Sequence, residues 1–222
     1  MNKTISFVRL DFAALKPYIK TLYLFVIIAI FTGIIDSSLD MTFTMIMIGL
    51  PMILSYPFAI SEKNSLDTLY STLSLNRKDV VLGRYAFAFI IEIVAIMILL
   101  ALAFIKSNFS TMDMSFNELF IYISFLSMIF SIIIAFQYPM FFKFGYAKAK
   151  LFSYIPLLLL FLLLGVIPTI AMKLNVNINW DKLNSIFIEN TRLMFYLPLL
   201  IGLASLLISY MVSAKIYMKK DI

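Results

Sequence analysis

Neither histidine nor cysteine occurs in this chain of 222 residues. Without histidine the chain lacks the commonest proton shuttle of proteins, and without cysteine it has no thiol nucleophile and no disulfide. Most zinc and haem sites also depend on these two residues. The catalytic chemistries that need an imidazole or a thiol are therefore excluded.

Glycine is scarce as well, with six residues spread along the chain. The sequence has no G-x-x-x-x-G-K-[ST] loop, so it binds no ATP in that way. Two aspartates, Asp36 and Asp40, flank a predicted turn near the membrane surface, and they do not form a membrane-embedded acid pair. We expect no catalytic residue, metal or cofactor in this chain.

Apolar residues are in large excess. They make up 63% of the chain, and the mean hydropathy is +1.00. Soluble domains are about 45–50% apolar, so the excess predicts a polytopic membrane protein and excludes a soluble enzyme, a disordered regulator or a fibrous protein. A membrane helix needs about 20 apolar residues. Six runs of suitable length predict an all-α fold with six spans: Tyr18–Ile35, Met41–Ile60, Tyr85–Ile105, Leu119–Phe142, Leu151–Met172 and Leu193–Tyr217.

The basic residues are distributed unevenly around these spans. Of the 18 Lys and Arg residues, 14 lie in the N-terminal segment, the loops after spans two and four and the C-terminal segment, or at the span ends that adjoin them. Because basic residues concentrate on the cytoplasmic side of a membrane, we expect both termini in the cytoplasm. The net charge of +6 then indicates topology and contact with anionic lipid, and not a nucleic-acid partner.

Two segments outside the spans are predicted to lie at the membrane surface. Residues 1–17 form a predicted interfacial helix that ends at Pro17. Its apolar residues recur on one stripe: Ile5, Val8, Phe12, Leu15 and Ile19. Residues 168–192 form the largest predicted outer loop and contain Trp180, the only tryptophan. Tryptophan favours the membrane interface, so we expect a short helix there.

The loop after span two, residues 61–84, is longer than a simple connection requires. Its apolar residues follow the i, i+3, i+4, i+7 pattern of an amphipathic helix, predicted over 61–75: Leu66, Leu69, Tyr70 and Leu73. Asn76 is a predicted N-cap from which the third span begins. The extra helix would offer a cytoplasmic surface on which another protein could dock.

Two polar side chains fall deep within predicted spans. Glu92 lies in the third span and Gln137 in the fourth. A carboxyl group at this depth is costly and is a functional candidate by default. Glu92 would relay protons, pair with a cation or bind substrate. Alternatively, it is structural and bonds to Ser, Thr or Tyr of a neighbouring span. Gln137 carries the same alternatives.

The stretch from Leu73 to Tyr85, LSLNRKDVVLGRY, resembles the segment that follows the coupling helix in small ABC-2-type permeases. The family pattern is Leu-Pro-x-Ser/Thr-Arg-Lys-x-hydrophobic-Val, with a later Lys-Tyr. This chain keeps the Leu, the Arg-Lys pair, the following Val-Val and the Tyr. It departs at Ser74, Asn76 and Arg84, where the pattern has Pro, Ser/Thr and Lys.

The resemblance implies a single transmembrane domain over residues 1–222 with type V exporter-like architecture. In such a bacterial cytoplasmic-membrane complex, two permeases, identical or different, join two ABC ATPase subunits that bind ATP and Mg. The chain is similar to permeases of Gram-positive peptide exporters such as the phenol-soluble-modulin exporter, whose substrates are amphipathic peptides. The residues implied to meet the ATPase are Glu62, Asn64, Leu66, Asp67, Leu69, Tyr70, Leu73 and Arg77.

Other functions remain open at this point. The same machinery could serve immunity against a bacteriocin or another antimicrobial peptide. A substrate-capture subunit of an energy-coupling-factor importer is also small and has six spans, but Leu22–Ile35 lacks the A-x-x-x-A seam of that class. A self-contained carrier should show several intramembrane charges or paired broken helices, whereas one deep acid is found here.

Overall fold

The computed structural model describes residues 3–35, 39–66, 76–109, 115–162, 166, 169–170, 173 and 190–220. Within these residues the regular structure is helical throughout, with no strand. The principal helices are α1 (Lys3–Leu15), α2 (Ile19–Ile35), α3 (Asp40–Ile53), α4 (Tyr56–Lys63), α5 (Arg77–Phe109), α6 (Phe116–Phe144), α7 (Tyr146–Ala149), α8 (Ile155–Phe161) and α9 (Thr191–Met218). Short 3₁₀ turns cover Lys16–Tyr18 and Phe152–Tyr154.

The predicted all-α membrane fold is confirmed. Four segments among the described residues are long and apolar enough to cross a bilayer: Asp40–Lys63, Arg77–Asn108, Phe116–Phe144 and Thr191–Met218. The pair Phe7–Tyr18 and Lys20–Gly33, bent by 77°, gives a fifth if it is counted as one span. The predicted span 151–172 contains the apolar helix α8 but lies partly outside the described residues, so the count of six stays a prediction.

Local sequence signals explain several helix boundaries. A turn at Leu54–Ser55 separates α3 from α4, and Pro57 occupies the first turn of α4, where a missing N–H is not needed. The α6 helix opens with a capping box, in which Ser115 and Glu118 satisfy each other's backbone N–H groups. The α5 helix begins at Arg77, directly after Asn76, which is the residue predicted as its N-cap.

The most extensive packing joins α6 and α9, which run side by side. Small residues make this close approach possible, as is usual between membrane helices. A Cβ atom built at Gly202 would lie 3.3 Å from the backbone Cα of Met128 and 3.2 Å from Ser131 Oγ. Ser209 Oγ donates a hydrogen bond of 2.6 Å to the Ala135 carbonyl. The two helices are therefore in near-backbone contact, and α5 packs across them.

Candidate functional site

The ends of α4, α5, α6 and α9 meet at one end of the bundle, where α1 packs against α4 and α5; we call this region the basal junction. Residues of α4, α5, α6, α7 and α9, together with neighbouring Gly145 and Lys220, line a cavity of about 70 Å³ there. Its lining is Phe58, Ser61, Glu62, Val80, Arg84, Phe141, Phe142, Gly145, Tyr146, Tyr217 and Lys220. The loop that carries the predicted ATPase-binding residues leaves from the same place, between α4 and α5. This location makes the basal junction the candidate functional site.

Arg84 is the buried centre of the basal junction. Its Nη1 lies 2.9 Å from Asp11 Oδ1, and its Nη2 donates a hydrogen bond of 2.6 Å to Ser61 Oγ. The guanidinium also lies 4.6 Å from the ring centroid of Phe58. Asp11 is 4% exposed and Arg84 is 5% exposed. One buried cation therefore holds α1 and the end of α4 against α5.

The ion pair is incompletely satisfied. Asp11 Oδ2 is buried and has no hydrogen-bond partner among the described residues. Burial raises the pKa of the Asp11 carboxyl to about 6, and the facing Arg84 charge opposes the rise. The 2.9 Å separation and the burial of both side chains make this contact a buried ion pair. Such a pair is costly to bury and more costly to break.

Glu62 links the last turn of α4 to the connection between α6 and α8, residues 145–154, which we call the second basal loop. One carboxylate oxygen, Oε2, accepts hydrogen bonds from the backbone N–H groups of Tyr146 and Ala147, the latter at 3.1 Å. These amides belong to the first turn of α7, where N–H groups have no partner within the helix. Glu62 therefore faces the chain's own backbone.

Arg77, the first residue of α5, contacts the end of the last helix. Its Nη1 donates hydrogen bonds to the carbonyl oxygens of Tyr217, Met218 and Lys220, at 3.3, 3.1 and 2.6 Å. The last carbonyls of a helix lack internal partners and carry a partial negative charge. The guanidinium therefore caps α9 and fixes the start of α5 to it.

Above the basal junction, α5 holds α9 through Tyr85. The hydroxyl of Tyr85 bonds to Ser209 Oγ and, at 2.8 Å, to Ser213 Oγ. Because Ser209 already donates its hydrogen to the Ala135 carbonyl, it accepts from Tyr85, and Ser213 can then donate to Tyr85. All three side chains are buried. The arrangement is a satisfied hydrogen-bond chain between α5 and α9.

The deep acid Glu92 contacts α6. Its Oε1 accepts hydrogen bonds from Ser127 Oγ and, at 3.4 Å, from Ser131 Oγ. The carboxyl is 3% exposed. These serines lie one turn apart on the face of α6 that meets α5. The geometry is that of the structural alternative, in which the acid bonds to hydroxyl groups of a neighbouring span.

Gln137 lies on α6 near the second basal loop. Its Nε2 donates to the Ser153 carbonyl at 3.3 Å, whereas its buried Oε1 has no hydrogen-bond partner among the described residues. The side chain therefore attaches the second basal loop to α6. Glu92 and Gln137 make separate contacts and do not share one site.

Only part of the predicted ATPase-binding set lies within the described residues. Ser61, Glu62 and Lys63 complete α4, and Asn64 is its C-cap, with a backbone N–H bonded to the Ile60 carbonyl at 3.0 Å. Leu66 is half-buried against the core. Four residues of the set lie outside the described residues: Asp67, Leu69, Tyr70 and Leu73.

Asp11, Tyr85 and Arg84 are not among the site residues predicted from the sequence, in which Arg84 counts as a topology charge and a motif position. The sequence of α1 does contain a weak signal that Asp11 is buried. Phe7, Asp11 and Leu15 are spaced by four residues, and all three lie on the buried face of α1. An acid between two apolar residues on one buried helical face needs a partner, either a cation or hydrogen-bond donors.

We expect Glu92→Gln to leave the protein's stability nearly unchanged, because the amide oxygen can still accept from Ser127. Glu92→Leu should lower the free energy of unfolding by about 0.5–1.5 kcal/mol, the usual range for a hydrogen bond between membrane helices. Thermal unfolding of both purified variants in detergent measures this. A Gln variant that is stable but has lost the protein's function would instead assign Glu92 a role that needs its charge or its proton.

A sequence profile described as "ABC-2 family transporter protein" matches residues 6–218. No curated protein and no solved structure matches the chain significantly.

Proposed function

This chain belongs to the ABC-2 family of transporter membrane proteins, and we propose that it forms half of the membrane domain of an ATP-driven exporter of amphipathic peptides. As a family member it is the membrane-spanning permease component of an ABC transporter and works with an ABC ATPase. Its membership favours this function over the substrate-capture subunit of an energy-coupling-factor importer. We further propose that the basal junction and both termini face the cytoplasm of a bacterial cell.

The observation that supports coupling most strongly is the position of α5. This helix begins directly after the loop that carries the predicted ATPase-binding residues, and it spans the bundle. Along its length it contacts α9 through Arg77 and Tyr85, α1 through Arg84, and α6 through Glu92. A displacement of the loop would therefore reach three other helices through one rigid element.

The proposed cycle follows from this arrangement. ATP, held with Mg by the partner ATPase subunits, closes the ATPase dimer. The coupling helix, predicted within 61–75, moves with it and displaces α5. The two permeases, identical or different, then rock against each other and open a path to the outside. In this proposal Leu66, Leu69, Tyr70 and Leu73 contact the ATPase or the bundle.

The substrate proposal is an amphipathic peptide of the phenol-soluble-modulin type, and it rests on the resemblance to Gram-positive peptide exporters. Immunity to a bacteriocin would use the same machinery on a peptide that arrives from outside. Deletion of the transporter genes separates these two functions. Accumulation of the cell's own peptides supports export, whereas sensitivity to added peptide with normal secretion supports immunity.

We expect Tyr70→Asp to weaken the association between this chain and the ATPase, because the substitution places a charge in an apolar docking contact. Weaker docking would in turn uncouple ATP hydrolysis from transport. A central contact residue contributes about 2 kcal/mol or more, which corresponds to roughly thirtyfold weaker binding of the ATPase. The measurement is recovery of the ATPase with the tagged chain in mild detergent, followed by quantitative mass spectrometry.

Ser71→Asp is the matched control, since Ser71 lies on the opposite side of the same predicted helix. It should recover the ATPase at the wild-type level. Equal recovery with both variants would show that Tyr70 is not a docking residue. Failure of the unmodified chain to recover any P-loop ATPase, even after crosslinking, would contradict the permease function itself.

A further inference from the structure

Two adjacent residues at the end of α4 contact different parts of the molecule. Ser61 accepts a hydrogen bond from Arg84 of α5, which in turn pairs with Asp11 of α1. Glu62, the next residue, accepts from the backbone of the second basal loop. The last turn of α4 is thus bonded to α1 and α5 on one side and to the connection that follows α6 on the other.

We propose that Glu62 is a positioning residue that makes the end of α4 and the second basal loop move as one unit. The consequence of this contact for transport rests on the proposed function, because Glu62 would carry motion of the predicted coupling helix directly to α6. This role differs from the ATPase contact that the family resemblance implies for Glu62. The carboxylate already has two backbone partners within its own chain.

Gly145 supports this assignment. Its φ of +78° and ψ of 167° lie in a region that is essentially restricted to glycine. A Cβ atom at this position would lie 3.0 Å from Glu62 Oε2. Glycine therefore does two things here. It allows the turn that presents the amides of Tyr146 and Ala147, and it leaves room for the carboxylate that accepts from them.

The second basal loop is attached to α6 by several contacts. The ring centroid of Tyr146 lies 5.6 Å from that of Phe141, and Ala149 is fully buried. Gln137 of α6 donates to the Ser153 carbonyl at the far side of the loop. Both ends of the loop are thus attached to α6, and Glu62 attaches its first turn to α4.

Glu62 is exposed, which determines how the contact works. A charge-assisted hydrogen bond at an exposed site is screened by water and salt. The contact is therefore weaker than a buried ion pair. We expect removal of the carboxylate to lower the ratio of joined to separated states by about five- to tenfold.

The absence of cysteine from the chain allows spin labels to be placed directly. Lys63→Cys and Lys148→Cys put one exposed label beside Glu62 and another in the second basal loop. Double electron–electron resonance on the full chain in lipid nanodiscs should give one narrow distance distribution. Glu62→Ala should broaden it, and Glu62→Gln, which keeps an acceptor oxygen, should broaden it less.

Glu118→Ala is the matched control. Glu118 also accepts from a backbone N–H, that of Ser115 at 2.7 Å, but at the opposite end of α6. Its removal should leave the distance between the basal labels unchanged. An equally narrow distribution in the Glu62→Ala variant would overturn the proposal. This distance measurement needs no ATPase and no substrate, so its result is valid even if the proposed function is wrong.

A second arm tests the consequence for coupling. The same labelled pair is measured in the complex with its ATPase, without nucleotide and after trapping with ATP and vanadate. The wild-type distance should be the same in both states, because the two segments move together, and the Glu62→Ala distance should change between them. A wild-type distance that changes on trapping would overturn the single-unit assignment.

Discussion

Arg84→Ala is expected to lower the free energy of unfolding by about 3–5 kcal/mol, the cost of removing one partner from a buried ion pair. The substitution leaves the Asp11 carboxylate, 4% exposed, without its cation. It also removes the hydrogen bond to Ser61 and the contact with the Phe58 ring. We therefore expect α1 to detach from α5 before the rest of the bundle unfolds. Thermal unfolding in detergent, together with proteolysis of the N-terminal segment, measures both effects.

The double variant Asp11→Asn with Arg84→Met shows whether the unpaired charge causes the loss of stability in Arg84→Ala. Replacing both members of a buried pair by uncharged groups is often close to neutral, and here one carboxylate oxygen already lacks a hydrogen bond. The double variant should therefore recover most of the lost stability. Arg192→Ala removes an exposed arginine at the other end of the bundle and should have little effect. If the double variant is as unstable as Arg84→Ala, the loss comes from packing and not from the unpaired charge.

The four spans found among the described residues were the most predictable part of this fold, because hydropathy and helix length decide them almost alone. The start of α5 after Asn76 was predictable too, since an N-cap acts within one turn of its own position. The hydrogen bonds of Glu92 were predictable in kind, because an acid within a span needs polar partners from a neighbouring helix. Which serines serve as those partners depends on the register between α5 and α6.

The contacts of the basal junction could not be predicted, because they join residues far apart in the sequence. Asp11 and Arg84 belong to different helices, and Glu62 reaches Tyr146 across two complete spans. No local pattern encodes such pairings, since they depend on how the helix ends meet. Arg77 illustrates the consequence. In the sequence it is a basic residue beside a docking helix, whereas in the structure its guanidinium caps the end of α9.

Gly202→Leu is expected to separate α6 from α9 and to lower the free energy of unfolding by about 3 kcal/mol, near the upper end of the usual cost of overpacking. The neighbours of this glycine explain the size of the effect. A Cβ atom alone would lie 3.3 Å from the Cα of Met128, which is backbone and cannot rotate away. A leucine must therefore displace a whole helix. Gly202→Ala should cost less, because the atoms nearest its methyl group need to move by only a few tenths of an ångström.

Ala204→Leu adds a side chain of the same size two residues along α9, at an exposed position. It should leave stability nearly unchanged, because the added atoms enter the lipid.

Tyr85 provides a second test of the displacement of α9, since its hydroxyl bonds to Ser209 and Ser213 on the same helix. Displacement of α9 by Gly202→Leu would break those bonds as well, so a further Tyr85→Phe substitution should cost little in that variant and more in the wild type. If Tyr85→Phe costs the same in both backgrounds, α9 has kept its place and the close packing at Gly202 is not what holds it there.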